Sequence, residues 1–186
     1  MMAHPNLLDI TKTALVVIDV QEAFRAAIPD LAGVVTNIST AVKGFQTLGV
    51  PVIVTEQYPK GLGRTADEIV RVLDAGNVAI EKTSFSSCGS TDFVERLSEL
   101  GVKQVVICGL ETHICVNQTA HDLLDLGFQV HVLADCVGSR TEQNRRTGLE
   151  KMTRSGAILS SVEMALFELM RDAKHPKFKE IQALVK

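Results

Sequence analysis

Short runs of consecutive apolar residues recur along the chain at 14–18, 52–55, 78–80, 105–108, 130–133 and 157–159. They are rich in Val and Ile and do not alternate with polar residues, which is the pattern of strands covered on both faces. Between them the period changes. Residues 30–48 carry Leu31, Val34, Val35, Ile38, Val42 and Phe45 at helical spacing before Gly49, and shorter helical patterns cover 66–73, 93–100 and 141–154. Ser160 with Glu163 reads as a capping box for a helix over 162–170, and Pro176 opens a last one. Six strands separated by helices predict an α/β fold, a six-stranded parallel sheet with helices on both faces. With no repeat, linker or low-complexity tract in 186 residues, one domain over 1–186 is expected.

The stretch over 104–128, QVVICGLETHICVNQTAHDLLDLGF, organises the rest. A buried strand over 105–108 is expected to end at Gly109, after which Thr112 is the candidate N-cap of a helix carrying Val116, Ala120, Leu123 and Leu124 and closed by Gly127. Cys115 falls in the first turn. Free N–H groups and the helix dipole there favour a thiolate, so a reactive cysteine has a physical motive.

In a parallel sheet of this kind, ligands bind beyond the carboxyl ends of the strands. Asp19 follows the first strand directly, and a carboxylate after four apolar residues must be paired, hydrated or functional. Lys82 follows the third strand and Cys115 the fourth. Converging at neighbouring strand ends, the three form a set in which a carboxylate accepts the thiol proton and a lysine holds the carboxylate.

A net charge of -3 offers no basic patch for nucleic acid, and no apolar run approaches the roughly 20 residues of a membrane span. Residues 1–12 combine no charged stretch with an apolar one, so a cytoplasmic location is expected. Cys88, Cys108, Cys115 and Cys136 lack CxxC spacing, and the five histidines share no ligand spacing, so neither a zinc site nor a cofactor is expected. His113, two residues from Cys115, points to a different side of a helix and is read as solvent-facing or locally bonded.

The segments Ala14-Leu-Val-Val-Ile-Asp19-Val-Gln21, Lys82-Thr-Ser-Phe85 and Gly109-Leu-Glu-Thr-His-Ile-Cys115-Val116 resemble, in order and spacing, the three motifs of the isochorismatase-like cysteine hydrolases, over 13–168. The resemblance implies a three-layer α/β/α, Rossmann-like fold with Asp19, Lys82 and Cys115 as catalytic triad. It also implies a cis peptide between Leu110 and Glu111 that lets the amides of Glu111 and Cys115 point into an oxyanion hole, and a homodimer or larger assembly, for which 162–170 and 178–185 are candidate interfaces or ordinary core. Having Cys115, the chain is similar to the amide-cleaving branch rather than to the isochorismatases that cleave a vinyl ether. Nicotinamidases of this superfamily carry an Asp and two His as metal ligands after the second strand. Here that position reads Thr55-Glu-Gln-Tyr-Pro-Lys-Gly-Leu-Gly-Arg64, so no metal and no nicotinamidase activity are expected. Gln21, Phe24, Glu56, Tyr58 and Phe85, with Arg64, are candidate pocket residues.

The expected activity is hydrolysis of a C–N bond in a small amide or carbamoyl compound through a thioester on Cys115. A dinucleotide-binding enzyme would need a glycine-rich turn after the first strand, and Asp19-Val-Gln-Glu-Ala-Phe-Arg25 has none. Two alternatives stand: a non-catalytic binding or scaffold protein on the same fold, and a thiol redox sensor, which needs a resolving cysteine near Cys115.

Overall fold

A computed structural model describes residues 4–186. Six parallel strands form one sheet: β1 Thr13–Ile18, β2 Val52–Gln57, β3 Ile80–Lys82, β4 Gln104–Leu110, β5 Gln129–Gly138 and β6 Ile158–Ser160. They lie in the order β3-β2-β1-β4-β5-β6. The order reverses between β1 and β4, and the crevice beyond that reversal is where open α/β sheets bind ligands.

The helices are α1 Leu31–Thr47, α2 Pro59–Leu62, α3 Asp67–Val70, α4 Thr91–Leu100, α5 Asn117–Asp125, α6 Glu142–Arg154, α7 Val162–Met170 and α8 Phe178–Leu184. The consecutive apolar residues of the strands serve two cores. Leu15 and Val17 of β1 pack with Val35, Ile38, Val42 and Phe45 of α1, Leu166 of α7 and Ile181 of α8. Ala14, Val16 and Ile18 face the other way, onto Phe93 and Leu97 of α4, Ala120 and Leu123 of α5 and Met152 of α6. Three layers follow, as expected. The segments offered as possible interfaces, 162–170 and 178–185, contribute Leu166 and Ile181 to the first core, with Met164 and Phe167 outside. Among the described residues no helix is long and apolar enough to cross a membrane.

Three differences from the sequence pattern bear on how the strands meet. The third strand is shifted from 78–80 to Ile80–Lys82, because Gln57 pairs with Lys82 in register and the Tyr58 N–H donates to the Lys82 carbonyl, while Val78 is 81% exposed. The fifth strand runs on past 133 to Gly138, since the register shifts between Ile107 and Gly109, β5 advancing from Val132 to Val137, and Gly109 and Leu110 then pair with Val137 and Gly138. Gly109 therefore sits inside β4 instead of ending it. Its φ is +143°, and a Cβ there would lie 2.1 Å from the Ile18 carbonyl oxygen, so β4 can bring its backbone this close to β1 only with glycine.

Candidate functional site

β1 delivers Asp19. The residue takes a left-handed φ of 54°, its N–H donates to the Thr55 carbonyl at 3.1 Å, and its side chain turns into the sheet end. Thr55 Oγ1 donates to Asp19 Oδ1 at 2.8 Å, and Lys82 Nζ donates to Oδ2 at 2.6 Å. Asp19 and Lys82 side chains are 2% and 1% exposed. The ammonium also reaches Gln57 Oε1 at 2.9 Å and the carbonyls of Ser84 and Phe85 at 3.1 Å each. With acceptors for every N–H, Lys82 is built to hold charge in place rather than to pass a proton on.

β4 delivers Cys115 through a turn that differs from expectation. Residues Thr112–Val116 form one π-helical turn, and α5 begins only at Asn117. Such turns within helices occur mostly singly and often at functional sites. Thr112 is not the cap: Glu111 holds that position at φ 55°, ψ 60°, and Thr112 Oγ1 donates instead to the Gly138 carbonyl at 3.0 Å. The cis peptide expected at Leu110–Glu111 is absent, every peptide bond of the described residues being trans. Glu111 lies in the left-handed region at this reversal, and the expectation that a cis bond aims its N–H into an oxyanion hole goes with that bond. On the far side, α6 closes on the turn at Gly148, where a Cβ would sit 2.9 Å from the Thr112 carbonyl oxygen.

Cys115 is 6% exposed, beside Asp19 and in the core opposite to Cys108 and Cys136. All four cysteines are free. Burial first, then the Asp19 charge, push the Cys115 thiol up to about 12, with Lys82 pulling the other way and Glu111 adding to the rise. Removal from water and two nearby carboxylates thus oppose the thiolate expected from the helix start. A protonated thiol next to a carboxylate can be deprotonated as it attacks.

The remaining candidates are distributed differently. Gln21 is fully buried: Nε2 donates to the carbonyls of Gln57 and Gly63 and Oε1 accepts from the Gln57 N–H, so the side chain fastens the loop after β2. Glu56 is buried too and accepts from Thr65 N–H and Oγ1, with Arg64 at 2.9 Å. Arg64 reaches on to Glu81 at 2.6 Å and is mostly in solvent. Phe24 packs on the core that contains α1, away from Cys115. Tyr58 and Phe85, both more than half exposed, stand at the open side near Lys82. Tyr58, Glu81, Lys82, Ser84 and Ser90 line a cavity of about 440 Å³ there.

Sequence reasoning missed Thr55 and Gln57, which hold Asp19 and Lys82, and the Glu111 carboxylate with Arg140, whose Nη2 lies 3.1 Å from Glu111 Oε2. Thr55 and Gln57 were findable from register, since they stand beside Ile18 and Lys82 in the sheet. His113 is half-buried, with Nδ1 3.2 Å from Ser139 Oγ. Among the described residues no group of three or more His, Cys, Asp and Glu side chains is placed to hold a metal ion.

The isochorismatase domain family matches residues 13–164. Isochorismatase domain-containing protein 1 of Danio rerio is 42% identical over 169 residues, covering 90% of this chain. This chain spans only 59% of that relative's length. The structure of the MAR1 ribonuclease from Caenorhabditis elegans superposes with a TM-score of 0.92 at 37% identity, covering 96% of this chain and 92% of that one. The YcaC gene product of Escherichia coli, described as an octameric hydrolase of unknown specificity, shares the fold with a TM-score of 0.86 at 22% identity, covering 98% and 97%.

Proposed function

The chain belongs to the isochorismatase family, and we propose on that premise that it is a cysteine-dependent hydrolase cleaving a C–N bond of a small amide or carbamoyl compound. The observation that carries this reading is the buried cluster in which Lys82 Nζ lies 2.6 Å from Asp19 Oδ2 and Asp19 acts on the Cys115 thiol. In the reaction, Cys115 Sγ attacks the substrate carbonyl carbon while its proton passes to Asp19. The amide of Cys115 receives the developing oxyanion, such a donor contributing roughly 3 kcal/mol. Asp19 then protonates the leaving nitrogen as the C–N bond breaks, leaving a thioester. Water, deprotonated by Asp19, releases the acid and restores the thiol. Lys82 keeps Asp19 in place throughout, and Thr55 fixes its second oxygen.

Tyr58 and Phe85 bound the entrance in this reading, while Gln21 and Glu56 act on the loop that carries Tyr58 rather than on substrate. The 6% exposure of Cys115 restricts the reacting group to something small. That same burial favours the rival reading, a binding protein that keeps the fold without turnover. The ribonuclease relative adds RNA to the substances to be tried, against a net charge of -3 that does not favour a polyanion. Self-association is proposed as well, read by light scattering.

The deciding experiment is a screen of small amides, ureas, carbamoyl compounds and RNA, with Cys115→Ala as control and mass spectrometry for an acyl adduct. Ammonia or amine release that needs Cys115, with an adduct on it, supports the hydrolase. Ligand binding without Cys115-dependent turnover of any class makes it a binding protein.

A further inference from the structure

Just past β2 stands an aromatic residue in an unfavourable backbone conformation. Tyr58 lies at φ 38°, ψ 66°, in the left-handed region, and Pro59 follows it. A bulky residue rarely takes positive φ, and a proline pushes its predecessor toward extended backbone. Three contacts hold Tyr58 there. Its N–H donates to the Lys82 carbonyl at 2.8 Å, and its own carbonyl accepts from the N–H groups of Gly61 at 2.8 Å and Leu62 at 3.1 Å. Strain kept in place in this way clusters at ligand clamps and active sites.

The conformation seats the ring. A Cβ on Gly61 would fall 2.7 Å from both Cδ1 and Cε1 of Tyr58, so the ring rests against backbone that only glycine leaves open to it. Tyr58 is nevertheless 54% exposed. It borders the cavity of about 440 Å³ together with three hydroxyl-bearing residues, Thr83, Ser84 and Ser90, a volume in the range of small-molecule sites. Ser84 Oγ donates to the Ser86 carbonyl at 2.8 Å and so offers the cavity an acceptor. Two of the charges on the lining are committed elsewhere: Glu81 is paired with Arg64 at 2.6 Å, and the Lys82 ammonium is buried against Asp19. Lys60, the third, is exposed on the rim, where water screens it.

An aromatic plate backed by main chain, over a cavity with hydroxyls and no converging charge, matches a flat and neutral partner. We propose that this cavity is a binding site for an uncharged aromatic ring, stacked on Tyr58 with a polar substituent toward the hydroxyl-bearing residues. Neither Asp19 nor Cys115 is on the lining, so the site stands apart from turnover. The ring belongs either to a substrate whose amide reaches Cys115 or to a separate small ligand, and the test divides the two.

Tyr58 is the single tyrosine of a chain without tryptophan, so tyrosine emission reports from this ring alone. Benzamide, its saturated analogue cyclohexanecarboxamide and benzoate are titrated into the protein, with emission locating the ligand and calorimetry measuring affinity. Calorimetry is repeated on Tyr58→Ala, Tyr58→Phe and Gly61→Ala, each checked for an unchanged melting transition. Benzamide is expected to change the emission saturably and to bind about tenfold more tightly than either comparison compound. Tyr58→Ala and Gly61→Ala should each weaken it about tenfold, and Tyr58→Phe should retain it. Equal affinity for benzamide and either comparison compound, affinity undiminished in folded Tyr58→Ala, or no saturable change of emission overturns the site. Iodoacetamide labelling of Cys115 at saturating benzamide then separates the sources: protection assigns the ring to a substrate, and unchanged labelling to a separate ligand. An absence of turnover with the emission change intact removes the hydrolase reading and leaves this site in place.

Discussion

Lys82 and Asp19 meet as a buried ion pair 2.6 Å apart, formed between the last residue of an edge strand and the residue after a central one. Removing one partner strands a charge in the core. Lys82→Met is therefore expected to cost about 3–5 kcal/mol of stability, and the Asp19→Asn, Lys82→Met double variant to recover much of it. Urea unfolding of the four proteins gives the coupling energy. Additive losses would mean the pair is hydrated in solution.

Alkylation of Cys115 follows the sign of its neighbours. The thiol is pushed up to about 12, with Asp19 raising it and Lys82 lowering it. Iodoacetamide labelling of Cys115 should accelerate with pH up to at least pH 10 without levelling off. Asp19→Asn should label faster at pH 8, by roughly tenfold for each unit by which the thiol falls, even as it loses hydrolysis. Lys82→Ala should label more slowly. A plateau below pH 8 in the intact protein would contradict this assignment.

Two glycines separate fold from site. Alanine at Gly109 meets the Ile18 carbonyl at 2.1 Å, backbone against backbone, and is expected to destabilise by more than about 4 kcal/mol or to prevent folding. Alanine at Gly148 meets the Thr112 carbonyl at 2.9 Å and the His113 backbone at 3.0 Å, so backbone of the turn that bears Cys115 has to move. Gly148→Ala is expected to destabilise less than Gly109→Ala and to change the reactivity of Cys115, as paired calorimetry and acylation assays would show.

His131 makes stability depend on pH. Its Nδ1 is buried without a partner, Nε2 lies 3.3 Å from Gln129 Oε1, and burial lowers the imidazole from 6.5 to about 4. The folded-state value lies below the unfolded one, so the contribution is complete above pH 6.5 and is lost as pH falls through 4, a total of roughly 3 kcal/mol. Melting temperatures from pH 7 to 4 should fall less steeply in His131→Gln. Parallel slopes would remove His131 as the cause.

The convergence of the candidate residues was legible where it followed from position along a strand. Asp19, Lys82 and Cys115 each lie just past or at the end of an apolar run, and parallel sheets gather such positions. What the sequence hid is whatever depends on a second segment. Gln21 looked like a pocket residue because it stands two places after Asp19, but its three hydrogen bonds go to the backbone at Gln57 and Gly63. Glu56 is similar, spent on Thr65. Thr112 has the chemistry of a cap, yet the end of β5 offers its hydroxyl a buried carbonyl and the π-helical turn moves the start of the helix onward. Glu111 with Arg140 are 29 residues apart, and no local pattern announces their contact. The burial that opposes a thiolate at Cys115 was hidden for the same reason, since a dipole can be read from sequence and the depth of burial cannot.

Strand β3 is three residues long and has β2 as its single neighbour. Edge segments of this length open locally at a fraction of the free energy that unfolds a core. Each such opening withdraws Lys82 from Asp19 while β1 and β4 stay paired. On the hydrolase reading, activity and global structure are therefore expected to have separate thermal limits, one margin of the sheet fraying before the molecule as a whole gives way.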